Sequence, residues 1–270
     1  MFLPENIDLA NSEKYCLSIR LAPNGFSFCI DSPFDPSVFY FQDTSIGSKL
    51  SYLESIKKIV FDLGVFSNSF NRCSVFVVSQ NYTLIPNTYF DQKQSEKLFR
   101  FTFHDSDGII LNDKSLNDYH IVYNLDEDVY SFLVRNLCNP TFHHHSTSLI
   151  HSFQKFERNI VDKECFIDFH DDFITVVCLS GNRLISANTF AETNSINITY
   201  YVMGIWEKLN FNHDEDKLYL SGKVDLRIKL GDELKNLIRN IENLELATKM
   251  TLSLEDKNRV PTDLIAALCV

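Results

Sequence analysis

One short stretch of this 270-residue chain gathers side chains able to do chemistry: Asp168, His170, Asp171 and Asp172 fall within five residues. Three carboxylates and an imidazole could hold a divalent cation, as in two-metal hydrolysis of nucleic acid. That chemistry needs carboxylates arriving from several separate strands, and only Asp168 lies on a predicted strand. A polar hairpin turn is the simpler account. His143, His144 and His145 also invite a metal reading. Consecutive residues on a strand point to opposite faces, and on a helix they fan around the axis. A metal site needs three or four convergent ligands, so the triplet reads as a polar hinge and no metal is expected. Arg20 sits inside an apolar run; a structural ion pair is its expected role, with an anion contact as the alternative. The motifs GxSxG, HExxH, GxxxxGKS/T and GxGxxG do not occur. Only 8 glycines are present, so few places let backbone wrap closely around a phosphate.

The elements that must position these residues can be read from periodicity. Tyr15–Leu21 and Phe26–Ile30 read as strands joined by the turn Ala22-Pro23-Asn24-Gly25, and Val38–Gln42 as a third strand. Apolar spacing at Leu50, Leu53, Ile56, Ile59 and Val60 predicts a helix over Ser48–Phe61. Cys73–Ser79 is continuously apolar, as a strand covered on both faces should be. A helix over Asp91–Phe101, a strand over Tyr119–Asn124 and a helix over Glu127–Leu137 complete the first half. The second half repeats the order. Strands are predicted at Cys165–Phe169, Phe173–Leu179 and Arg183–Phe190, then a helix near Asn194–Leu209 and a strand at Lys217–Leu220. Leu230, Leu234, Leu237, Ile238 and Ile241 mark one further amphipathic helix. A meander, helix, strand, helix order used twice points to an internal duplication. The expected lobes are residues 1–145 and 146–270, the second opening on a connecting helix through Leu149, Ile150, Phe153 and Phe156. Pro261, Thr262 and Asp263 start a short terminal helix.

Composition narrows the function classes. The net charge is −11 and no basic run exceeds Lys57-Lys58, which disfavours nucleic acid and anionic membrane surfaces as partners. The 7 cysteines are odd in number, lack a CxxC pair and mostly lie in apolar runs, as buried thiols of a reducing compartment do. Neither a signal peptide nor a membrane-length apolar run is seen, so a cytoplasmic location is expected, without membrane insertion. Phe34, Phe39, Phe41, Phe66 and Phe70 are candidates for a protein-binding surface.

CFIDFHDDFITVVCLSGNRLISANTF (165–190) resembles the second phosphate hairpin and following strand of the actin-like ATPase fold, which actin, heat-shock chaperones, sugar kinases and pilus-assembly proteins share. KLYLSGKV (217–224) resembles its adenosine segment, and CLSIRLAPNGFSFCI (16–30) stands where its first phosphate hairpin should be. Taken whole, residues 14–268 resemble a family of Bacteroidetes proteins with this fold and no assigned activity. The resemblance implies an α/β chain of two ribonuclease H-like lobes, each a mixed five-stranded sheet flanked by helices. Asp168 matches the family's second-hairpin Asp, and Gly222 the first of the glycine pair in the adenosine segment.

The departures bear on activity. The first hairpin strand reads Leu17-Ser18-Ile19-Arg20, with no carboxylate. His170, Asp171 and Asp172 replace the phosphate-cradling glycines of the second, and Lys223 replaces the second adenosine glycine. Bulky acidic side chains repel a triphosphate. The expectation is a chain without ATPase activity or cofactor, whose partner is another protein. The alternative is a nucleotide- or small-anion-binding regulator using Asp168, Gly222 and Lys223 in the cleft between the lobes.

Overall fold

Turn chemistry and apolar alternation set the first strands. In the computed structural model, β1 (Cys16–Ala22) and β2 (Gly25–Asp31) form a hairpin about Pro23-Asn24, and β3 (Phe39–Ser45) extends it antiparallel. Residues 3–4, 6–64, 68–104, 106–114, 119–158 and 162–269 are described; Phe66 lies outside them. Helix α1 (Tyr52–Leu63) starts later than its apolar spacing suggests, because Ser51 caps it. The Ser51 hydroxyl accepts from the Glu54 N–H while Glu54 accepts from the Ser51 N–H, so two orphan donors are satisfied reciprocally. Gly64, in the left-handed region, ends it. β4 (Arg72–Val77) then pairs parallel with β1.

Between β4 and α3 (Glu127–Asn136) the first half carries a subdomain: β5 (Tyr82–Pro86), α2 (Gln92–Thr102), β6 (Ile109–Lys114) and β7 (Tyr119–Leu125). The strands form a separate antiparallel sheet in the order β5-β7-β6. The predicted strand at Tyr119–Asn124 therefore does not extend the main sheet. Its fifth strand is instead β8 (Thr141–His144), parallel to β4, in the order β3-β2-β1-β4-β8. This corrects the hinge reading of the histidines. His144 ends the strand and His145 opens α4 (His145–Lys155), both fully buried. The buried imidazoles have partners of their own: His144 Nε2 lies 3.2 Å from Ser79 Oγ, its Nδ1 accepts from the Ser146 N–H at 3.3 Å, and His145 Nε2 lies 3.4 Å from Ser146 Oγ. Asp113 on β6 anchors the backbone, accepting from the His144 N–H at 2.6 Å and from Thr147 Oγ1 at 2.8 Å, and its other oxygen lies 3.2 Å from His143 Nδ1.

The second half builds the same sheet without the subdomain. β9 (Lys163–Phe169), β10 (Ile174–Ser180) and β11 (Arg183–Phe190) form a meander, followed by α5 (Ser195–Lys208), β12 (Lys217–Gly222), α6 (Val224–Leu234) and β13 (Asn240–Asn243). The order β11-β10-β9-β12-β13 mirrors the first sheet, with β12 parallel to both neighbours. Ile198, Val202 and Trp206, four residues apart on α5, pack with Leu218 and Leu220 into the core; each such side chain contributes about 1.5–3 kcal/mol. The helix predicted through Leu230–Ile241 is corrected: α6 begins at Val224 and stops at Leu234, and Ile241 lies on β13. Leu234, Ile238 and Ile241 reach one core all the same. Their spacing suits a helix followed by a turn and a strand as well as it suits a continuous helix.

The chain divides into two compact units, Met1–Thr147 with Thr248–Val260, and Ser148–Ala247 with Pro261–Val270. Division at residue 145 does not anticipate the return of 248–260 to the first unit. There the Thr251 N–H donates to the Pro36 carbonyl at 2.8 Å, and Arg259, on α7 (Leu254–Arg259), lies over the Phe41 ring. The terminal helix is α8 (Thr262–Leu268).

Candidate functional site

The register of three strands places Asp168 between Thr175 on β10 and Ser221 on β12. Its side chain is 2% exposed. A buried carboxylate is costly unless it accepts hydrogen bonds, and here Ser221 Oγ donates to Oδ1 at 2.8 Å. His170 Nε2 lies 3.3 Å from Oδ2 and 3.1 Å from Thr175 Oγ1. The other face of the imidazole is engaged too: Nδ1 stands 3.8 Å from Asp263 of α8, and the ring stacks on Phe173 at 4.2 Å. The His170 N–H closes the turn onto the Phe173 carbonyl at 3.0 Å. His170 thus folds inward from the turn and occupies the space in front of Asp168.

Gly222 ends β12 with φ of 84°, a conformation that side chains resist. A Cβ there would sit 2.3 Å from the Phe169 carbonyl oxygen and 3.0 Å from Asp168 Oδ1. Its glycine is therefore required by the approach of β12 to β9. The Lys223 N–H continues the ladder onto the Phe169 carbonyl at 3.2 Å, and its ammonium pairs with Asp171 in the hairpin turn. The structure thus brings Asp168, Gly222 and Lys223 to one strand end, where each makes contacts within its own unit. Sequence reasoning missed Ser221, Thr175 and Asp263. Ser221 was visible as the residue before Gly222, but Asp263 read only as a helix-start residue. In the structure Pro261 occupies the cap position and Asp263 is buried.

The first unit has another residue set on the same register. Arg20 lies between Ser27 on β2 and Phe76 on β4, where Asp168 has Thr175 and Ser221. Val77 stands in the place of Gly222, and the Val78 N–H donates to the Leu21 carbonyl at 2.8 Å as Lys223 does to Phe169. At the other end of β2, Asp31 is buried, its Oδ1 has no hydrogen-bond partner, and burial pushes its carboxyl up to about 6, partly opposed by Arg72. Burial likewise raises the thiols of Cys16 and Cys29. Among the described residues no three His, Cys, Asp or Glu side chains are grouped to hold a metal ion. No helix among them is long and apolar enough to cross a membrane. Of the aromatic set, Phe34 is 76% exposed, Phe39 is half-buried, and Phe41 and Phe70 are buried.

Comparison with known proteins follows the same lines. Residues 4–241 match the family described as protein of unknown function (DUF3822). A crystal structure from Bacteroides thetaiotaomicron, a protein with actin-like ATPase fold and unknown function, is 27% identical. The match covers 98% of this chain and 99% of that one, with a TM-score of 0.85. The PilM-PilN type IV pilus biogenesis complex matches at 11% identity over 94% of this chain and 96% of that one, with a TM-score of 0.61, a likeness of fold alone. Among curated proteins none matches by sequence.

Proposed function

The chain belongs to the DUF3822 family and has the actin-like ATPase fold, and from that premise we propose that it is a non-catalytic member of the fold that works by binding another protein. The observation that carries the reading is the engagement of Asp168. A carboxylate that orders a metal-held water must face the reacting phosphate. This one is buried, bonded to Ser221 and covered by His170. The turn that would approach the phosphates carries Asp171 and Asp172, both exposed, which places negative charge where a polyanion would need donors. Lys223, which follows the end of β12, is already paired with Asp171.

A protein partner is favoured by what remains open. Large apolar side chains stand on the surface of both units, Phe34 and Phe101 in the first, Ile196 and Tyr200 in the second, and aromatic side chains anchor interfaces more than other types. A chain of the same fold is seen in the PilM-PilN complex, which gives a precedent for such use. The reading places the protein in the cytoplasm. Phosphate release from ATP with magnesium tests it: the rate should equal the buffer blank, and the tagged chain should co-purify from its host with a stoichiometric protein partner. Turnover that disappears in Asp168→Asn overturns it.

A further inference from the structure

The joint between β8 and α4 holds a buried imidazole that the reading of Asp168 does not use. His144 is 0% exposed and stands at the cap position of α4, immediately before its first residue. Both of its ring nitrogens are engaged. The Ser146 N–H donates to Nδ1 at 3.3 Å, so Nδ1 carries no proton and serves as the acceptor that a helix start needs. Nε2 lies 3.2 Å from Ser79 Oγ, whose own hydrogen goes to the Asn81 carbonyl at 3.4 Å. Ser79 Oγ therefore accepts and Nε2 donates. One neutral tautomer satisfies the whole chain of bonds.

A second proton on this ring would go to Nδ1, where it would face the Ser146 N–H. It would undo the cap and set a buried positive charge at the positive end of the helix dipole. The groups around the ring do not reverse this. Tyr82 of β5 and Tyr123 of β7 lie 4.8 and 5.1 Å from it, centroid to centroid, and burial holds both phenols neutral. The His145 ring, at 4.4 Å, would repel the charge if protonated itself. Asp113 of β6 brings a negative charge, but its oxygens are engaged by the His144 N–H, Thr147 Oγ1 and the His143 ring. The chain passes from the first compact unit to the second within this helix, after Thr147.

We propose that His144 is a proton-sensitive cap: neutral, it fastens the start of α4, and acid releases that turn and loosens the segment by which the chain enters its second unit. The released imidazole has an ordinary value of about 6.5, and the capped one lies below it. The turn is therefore at full strength above about pH 7 and weakens as pH falls through about 6.5. The device rests on the β8–α4 joint alone, so it and the reading of Asp168 can fail separately.

Imidazole nitrogen NMR of the unmodified full chain tests the first half of the proposal. At neutral pH, His144 should show a bare Nδ1 and a protonated Nε2. Hydrogen exchange tests the second half. Uptake of one proton on release should raise the open population of the Ser146 amide about thirtyfold between about pH 7.5 and 5, after correction for the intrinsic exchange rate. The Val202 amide of α5, in the core of the second unit, should stay level. His144→Asn keeps a capping side chain without a titrating nitrogen, and the pH dependence at Ser146 should vanish in it. A proton on Nδ1 at neutral pH, titration of the folded His144 at or above about 6.5, Ser146 exchange that is level across pH, or an unchanged pH dependence in His144→Asn would each overturn the proposal. Three of these four outcomes are read on the unmodified chain, so a variant that fails to fold still leaves it open to refutation.

Discussion

The matching strand crossings of the two five-stranded sheets solve the same geometric problem with opposite chemistry. In the second unit the crossing of β9, β10 and β12 holds Asp168, Thr175 and Ser221; in the first, the matching crossing of β1, β2 and β4 holds Arg20, Ser27 and Phe76. The second unit needs glycine where β12 ends, whereas the first places Val77 there. The backbone bond that follows is the same in both, from Lys223 to Phe169 and from Val78 to Leu21. The fold therefore requires the ladder and leaves the side chains free to differ. In one unit neighbours satisfy a buried carboxylate, and in the other the position on the matching register is a cation.

The comparison can be broken most sharply at Gly222. Gly222→Ala puts a Cβ against the Phe169 carbonyl at positive φ, so unfolding should show a loss of about 3 kcal/mol. A loss below about 1 kcal/mol would mean that β12 relaxes as freely as β4 accommodates Val77.

The next test sets two buried carboxylates against each other. Asp31 has an oxygen without a partner, and its carboxyl is raised from 3.8 to about 6 by burial. The folded chain then holds that proton more tightly than the unfolded chain. The associated stability is complete below about pH 3.8 and is lost as pH rises through about 6, so at neutral pH the charged form is a liability. Asp31→Asn should raise stability at neutral pH by about 2 kcal/mol, and the gain should fade as pH falls through that window. Asp168→Asn should go the other way at neutral pH, by about 1–2 kcal/mol, because it disturbs a carboxylate bonded to Ser221 and facing His170. Urea titrations of both variants across pH give the two signs directly. The smallest effect lies away from both sites: Ser51→Ala removes the α1 capping box and should cost about 1 kcal/mol.

Much of this was legible in the sequence, for reasons that differ by element. The hairpin at Pro23-Asn24 and the β10–β11 turn at Gly181 and Asn182, both at positive φ, follow from local turn chemistry. The later start of α1 was also legible, since Ser51 and Glu54 spell a capping box. The burial of His144 and His145 was not, because it depends on distant partners: the His144 imidazole meets Ser79, 65 residues earlier, and its backbone N–H meets Asp113 on a strand of another sheet. The end of α6 was hidden because Leu234, Ile238 and Ile241 satisfy two architectures at once. At the candidate site, Asp168 and Gly222 could be named from the resemblance. That His170 turns inward onto Asp168 and Asp263 rather than outward is a tertiary choice which no local pattern encodes.

Calorimetric titration of the intact chain with magnesium and ATP asks the remaining question of Asp168 itself. If Ser221 and His170 have taken the carboxylate for the fold, the titration yields only the heat of dilution, with Asp168→Asn indistinguishable from the unmodified chain. Saturable one-to-one binding that vanishes in Asp168→Asn would contradict the account.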